Sequence, residues 1–207
     1  MLQILGKPAS INVRKVLWLC EELALPYELQ PWGSGFAPTD TPEFRALNPN
    51  ALVPVIREGA FVLWESNAIC RYLAAQHGRF DLLPSAPRER ALVEQWMDWQ
   101  ATELNNAWRY AFMALVRQSP AHVDSSAIAA SASQWNRHMT MLDAQLQRSG
   151  AFVAGPSFTL ADVVLGLATH RWFMTPIERP GLAAVAAYHE RLSTRPGYLL
   201  HGRNGTP

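Results

Sequence analysis

Cysteine is scarce in this chain: only Cys20 and Cys70 occur, with no CxxC pair and no Cys/His cluster. A disulfide scaffold, a structural zinc site and dithiol redox chemistry are therefore unsupported, and both cysteines read as small core residues within helical patterns. An excess of charge of either sign is missing too. Lys plus Arg number 18 and Asp plus Glu 17, a balance that leaves no electrostatic footprint for nucleic acid or an anionic membrane surface. No run of about 18 apolar residues exists, and the opening MLQILGKP lacks an apolar signal core, so neither a spanning helix nor a signal peptide is expected. The expectation is a cytoplasmic protein without a metal. What is present is an ordinary globular composition, 49% hydrophobic and 17% charged, at a length that suits one large domain or two small ones.

The most informative stretch is Asn48 to Tyr72, NPNALVPVIREGAFVLWESNAICRY. Two apolar runs, Leu52 to Ile56 and Ala60 to Trp64, flank the polar turn Arg57-Glu58-Gly59, and their Val, Ile, Phe and Trp content predicts a hairpin followed at once by a helix. Pro54 has no N–H to give a ladder, so it should head its strand and leave the backbone of Val53 unpaired. At the far end, Glu65-Ser66-Asn67 falls where strand turns into helix. Free N–H groups there favour an anion, with the Ser66 hydroxyl beside them. Taken singly, Pro54 reads as well as a plain strand breaker and Ser66 as part of an ordinary N-cap.

Upstream, Leu2 to Leu5 reads as a strand. Val13, Val16, Leu17, Cys20, Leu23 and Ala24 recur at steps of three and four along a helix beginning near Ser10, with Arg14, Lys15, Glu21 and Glu22 off its apolar face. The helix stops before Pro26 and Tyr27 to Gln30 forms a second strand, giving a right-handed crossover and a parallel pair. Ligands of such units bind where strand gives way to helix, here the loop Gly6 to Ser10. Ser10 is then either a helix N-cap or a hydroxyl facing a ligand, and Asn12 either a solvated first-turn residue or a second polar group beside it. Thr41 to Leu47 suits a short helix with Pro42 at its first position.

His77 to Pro87, rich in Gly and Pro, marks a boundary, and everything beyond it reads as helix. Leu92, Trp96, Trp99, Leu104, Trp108, Ala111, Phe112 and Leu115 form one apolar stripe; Ile128, Trp135, Met139, Leu142 and Leu146 form another, antiparallel to it in a bundle. Phe158-Thr159-Leu160-Ala161-Asp162 is an N-cap and capping box, opening a helix that is apolar nearly all round toward His170. Leu182, Val185, Ala186, His189 and Leu192 outline a last helix, stopped by Arg195-Pro196-Gly197. The expected fold is α/β plus all-α, with domains at 1–77 and 88–207 joined by a linker at 78–87.

LVPV, the hairpin and ESNAICRYL together resemble the glutathione-binding half of the glutathione transferase family. Members have a thioredoxin-like N-terminal domain and a helical bundle carrying the Thr159–Asp162 type of capping box. The resemblance covers nearly the whole chain. It implies a cis bond before Pro54, pairing of the Val53 N–H and C=O with the cysteinyl backbone of glutathione, and capture of the γ-glutamyl end by Glu65 and Ser66. Serine-type members place the active serine four residues before an Arg, the relation of Ser10 to Arg14, while a branch with a Thr-Pro-Asn motif aligns its asparagine with Asn12. Thiolate stabilisation thus falls to Ser10, Asn12 or both, and the glycine carboxylate to Trp32, Arg45 or Asn50. The SSCSWRV signature of maleylacetoacetate isomerases and a cysteine at position 10 are both missing, which disfavours those chemistries.

The implied activity is attack of the glutathione thiolate on an apolar electrophile or a peroxide. The alternative on the same fold is a non-catalytic protein that binds glutathione or an apolar ligand. The resemblance also implies a C2 homodimer, with the segment 98–105 near the partner's glutathione site, and no nucleic-acid or membrane partner. Trp108, Tyr110, Phe112, Met113, Trp172 and Phe173 are the expected lining of an electrophile pocket with aromatic rather than charged walls, and Arg109 and His170 are its candidate polar members.

Overall fold

A computed structural model describes all 207 residues, Met1–Pro207. The first part of the chain runs β1 (Leu2–Leu5), α1 (Ile11–Leu23), β2 (Tyr27–Gln30), α2 (Pro42–Leu47), β3 (Val55–Glu58), β4 (Phe61–Trp64) and α3 (Ser66–Gln76). The sheet order is β2-β1-β3-β4. β1 and β2 are parallel, as the crossover through α1 requires, and the other two pairings are antiparallel, which is the thioredoxin-like arrangement. β3 starts at Val55, directly after Pro54 and later than the apolar run suggests. Pro54 cannot donate to the ladder, and Leu52 turns outward at 64% exposure.

The rest is helical: α4 (Pro87–Trp99), a π-helical turn (Gln100–Leu104), α5 (Asn105–Leu115), α6 (Ser125–Ser149), α7 (Leu160–Met174), α8 (Ala183–Leu192) and α9 (Pro196–His201). Two expectations need correction here. In α4 the fully buried residues are Val93 and Met97; Trp96 and Trp99 are half-buried against the core, and Leu92, expected in the same stripe, is exposed. Arg195-Pro196-Gly197 does not end the helical region, because Pro196 takes the first position of α9, where a missing N–H costs nothing. Arg14 and Lys15 lie off the apolar stripe of α1 and are nonetheless buried at 1% exposure each, since α1 is also covered by α3, α7 and α9.

One apolar cluster runs from β1 through α1 and α3 into α7 and α8, so the two parts share a core. Tyr198 of α9 packs on Trp18 with ring centroids 4.9 Å apart and donates to the Gly166 carbonyl. A Cβ on Gly166 would lie 2.6 Å from Leu192 and 3.0 Å from Trp18, so glycine is what lets α7 approach α1 and α8 this closely. No helix is long and apolar enough to cross a membrane.

The start of α7 is fixed by the buried Asp162 carboxylate. It accepts from the Thr159 N–H (2.8 Å) and hydroxyl (3.1 Å), the Val153 N–H (2.9 Å) and the Tyr188 hydroxyl (3.1 Å). Removing it strands several buried donors at once, each worth about 1–3 kcal/mol. Asp162→Ala should lower the free energy of urea unfolding by about 3 kcal/mol or more; a loss below about 1 kcal/mol would show that the cap is dispensable.

Candidate active site

The loop ahead of β3 is shaped by Asn48, which is 3% exposed. Its Nδ2 donates to the Leu52 carbonyl at 2.8 Å and its Oδ1 accepts from the Asn50 N–H at 3.0 Å. Ala51 sits in the left-handed region at φ +54°, and the Val53–Pro54 bond is cis. Neither main-chain polar group of Val53 has a protein partner, so the loop presents an open, strand-like edge.

Beside it, Glu65 holds φ +72° and ψ 110°, a strained conformation for a residue with a side chain, and Ser66 opens α3. Glu65, Ser66, Asn67 and Asn12 line a cavity of about 370 Å³ together with Lys15, Arg71 and Asp98. Its floor is a polar network. The Lys15 ammonium donates to Asn67 Oδ1 (3.2 Å) and Gln100 Oε1 (2.7 Å), Asn67 Nδ2 donates to the Met97 carbonyl (2.9 Å), and Gln100 Nε2 donates to Asn105 Oδ1 (2.8 Å). Asn105 also accepts from Trp108 Nε1 at 3.1 Å, so the network reaches α5. No carboxylate pairs with Lys15, and burial pushes its pKa down from 10.5 to about 8.

On the other side of the α1 N-terminus, Ser10 stands at the N-cap but makes no capping bond; its main-chain N–H bonds to the Lys7 carbonyl and its hydroxyl is free. It lines a cavity of about 330 Å³ with Trp108, Phe112 and Met113. Lys7, Arg109, Arg117, His122 and Arg171 line it as well, so the expectation of uncharged walls fails.

Ser10 and Asn12 therefore open into different cavities, as residues two apart on a helix must. The remaining candidates separate clearly. Arg45 is occupied by Asp40 and the Pro49 carbonyl, and Asn50 turns back to Asn48. Trp32 packs on Phe44 at 5.0 Å, next to Gly33 and the Lys7 methylenes. Trp172 takes no part in either cavity: it is 1% exposed and donates to Asn136 at 2.9 Å. Tyr110 accepts from the Asp124 N–H, and His170 and Phe173 face a separate cavity of about 570 Å³ beside His189. Sequence reading missed Lys7, Lys15, Gln100 and Arg171. The available signal was a charged residue inside a run too apolar for a solvated face, as in LGLATHRWF.

The family model described as Glutathione S-transferase, N-terminal domain, matches residues 9–76, and the one for its C-terminal domain matches residues 125–191. Glutathione S-transferase GstB of Escherichia coli K12 is 40% identical over 201 residues, 95% of either chain. The chain belongs to the glutathione S-transferase family. Glutathione S-transferase 3 of Zea mays is 32% identical over 205 residues, 95% of this chain and 91% of that one. Among solved structures, a theta class glutathione S-transferase of Xanthomonas axonopodis pv. citri with glutathione bound superposes with a TM-score of 0.90 at 42% identity, covering 97% of this chain and 96% of that one. A delta-class transferase of Nilaparvata lugens gives 0.88 at 26% identity, covering 100% of this chain and 95% of that one. The activity is thus glutathione transfer with glutathione as co-substrate, and no group of three or more His, Cys, Asp or Glu is placed to hold a metal.

In this glutathione S-transferase the buried Lys15 has a pH signature. Its folded pKa lies below the unfolded value, so between about pH 8 and 10.5 the unfolded chain binds more protons and this residue's contribution to stability improves as pH rises. The unfolding free energy of wild type minus that of Lys15→Met should therefore rise by up to about 3 kcal/mol across that window. A difference that stays flat would mean that the ammonium is not held in a desolvated site.

Proposed function

We propose that the transferase binds glutathione across both cavities, ionises its thiol at Ser10 and directs the thiolate at an electrophile whose apolar body rests on Trp108, Phe112 and Met113. The γ-glutamyl carboxylate lies at the first N–H groups of α3 with Ser66, and Glu65 meets the α-ammonium. The cysteinyl main chain pairs with Val53 beside Pro54, and the glycine end points toward Trp32 and Asn50, with Lys7 on the same side.

One observation carries the reading: the Ser10 hydroxyl stands at the N-terminus of α1 without capping it, inside the cavity that the aromatic residues line. An uncommitted donor at a helix N-terminus favours an anion through both its hydrogen bond and the helix dipole. A free thiol titrates near 8.5, and each unit of depression needs about 1.4 kcal/mol of preference for the thiolate. Asn12, facing the γ-glutamyl side, supports the tripeptide and not the sulfur. The thiol proton leaves to solvent, the sulfur bonds to the electrophilic carbon, and the leaving group departs with its electron pair. By the same reading the chain pairs as a homodimer, for which Leu92, Trp96 and Trp99 of α4 offer an apolar surface.

An ultraviolet titration of bound glutathione tests the assignment. The wild-type thiol should ionise about one to three units below free glutathione; Ser10→Ala should return it most of the way with affinity nearly intact, whereas Asn12→Ala should weaken affinity with little effect on the thiol. An unshifted thiol in a protein that binds glutathione would overturn the thiolate mechanism.

A further inference from the structure

The cavity at Ser10 carries positive charge that nothing on its walls balances. Lys7, Arg109, Arg117 and Arg171 line it, and no acidic side chain does. Arg171 is 3% exposed, its Nε lacks a hydrogen-bond partner, and its guanidinium lies 4.1 Å from the Phe112 ring centroid and 4.6 Å from that of Trp108. Several arginines elsewhere are answered by carboxylates: Arg45 by Asp40, Arg79 by Asp81, Arg195 by Glu22, Arg203 by Glu190. Here the cations repel one another instead. Burial and then Arg117 lower the pKa of Lys7, and burial, Arg14 and Arg117 lower that of Arg171.

A guanidinium kept in a buried site without an anion is costly, and the rings of Trp108 and Phe112 offset only part of that cost. A cleft with apolar walls and charge of one sign concentrates a ligand of the other sign. Glutathione's γ-glutamyl carboxylate has its own place at α3, on the far side of the α1 N-terminus from Arg171, and its glycine carboxylate lies toward Trp32 on the side of Lys7, which leaves Arg117 and Arg171 unanswered.

We infer that the electrophile is an anion: an aromatic or similarly apolar body that carries a carboxylate, its ring against Trp108 and Phe112 and its carboxylate bonded by Arg171 and Arg117. This rests on the transferase reading above and narrows its substrate class. For a chloroaryl carboxylate the step balances without a co-reactant. The thiolate sulfur bonds to the ring carbon, the carbon–chlorine bond breaks, and chloride leaves with the electron pair; the carboxylate is unchanged.

The test pairs 4-chloro-3,5-dinitrobenzoate with its methyl ester, measuring kcat/KM for each with glutathione and dividing by its uncatalysed rate constant to remove intrinsic reactivity. The acid should be favoured about tenfold or more in the wild-type enzyme, the worth of a charge-assisted bond in a partly dry site. Arg171→Met and Arg117→Met should each move the acid-to-ester ratio toward unity. Because Arg117 is exposed, its variant keeps the experiment decisive if the buried Arg171 variant does not fold. An ester preferred in wild type, variants that lower both probes in proportion, or variants that raise the KM for glutathione while leaving the ratio alone would each overturn the inference and spare the transferase mechanism. Failure to conjugate either probe would instead sink the mechanism itself.

Discussion

A single ammonium group joins the two parts of this enzyme. Lys15 projects from α1 into a place sealed by α3 and the π-helical turn, and it is held only by the amide oxygens of Asn67 and Gln100. A charge so placed cannot tolerate the loss of its acceptors, because water is not there to replace them. The relative position of α1, α3 and the start of α5 is therefore tightly specified, and those are the elements that carry Asn12, Ser66 and Trp108. The site inherits its geometry from this contact.

The N-terminus of α1 divides the active site into halves of different character. On the α3 side the walls mix signs: Glu65 and Asp98 stand with Lys15 and Arg71, which suits a zwitterionic amino-acid end. On the Ser10 side aromatic rings and unopposed cations meet. The free Ser10 hydroxyl and the positive potential therefore stand on the same side of the divide, and both favour an anion there.

Much of the fold was legible in the sequence because it follows from local rules. Pro54 lacks an N–H, so Val53 had to be left open beside the strand; Glu65-Ser66 had to begin a helix; Thr159 and Asp162 had to cap one. The errors arose where tertiary context decides. Arg14 and Lys15 lie off the apolar stripe of α1, and nothing local shows that α7 and α9 cover that side of the helix as well. Leu92 belongs to a good helical stripe yet is exposed, and Trp96 and Trp99 reach the core only in part, while Val93 and Met97 are fully buried in it. Pro196 read as a stop because the same residue that ends helices also starts them. Ser10 could not be resolved by sequence at all, since a cap and a ligand donor use the same hydroxyl, and only the missing capping bond separates them.

The π-helical turn at Gln100–Leu104 bears on how such a pocket changes over evolution. The Asn105 N–H reaches back five residues to the Gln100 carbonyl, so one more residue is present than a regular helix from α4 into α5 would need. Because the turn absorbs that residue locally, α5 keeps the facing it would have on a regular helix; a residue inserted without such a bulge would turn everything beyond it by about 100°. Asn105, Trp108, Arg109, Phe112 and Met113 thereby keep their places in the two cavities. The turn is thus the place where the chain can gain or lose a single residue while the side chains that α5 gives to both cavities stay where they are.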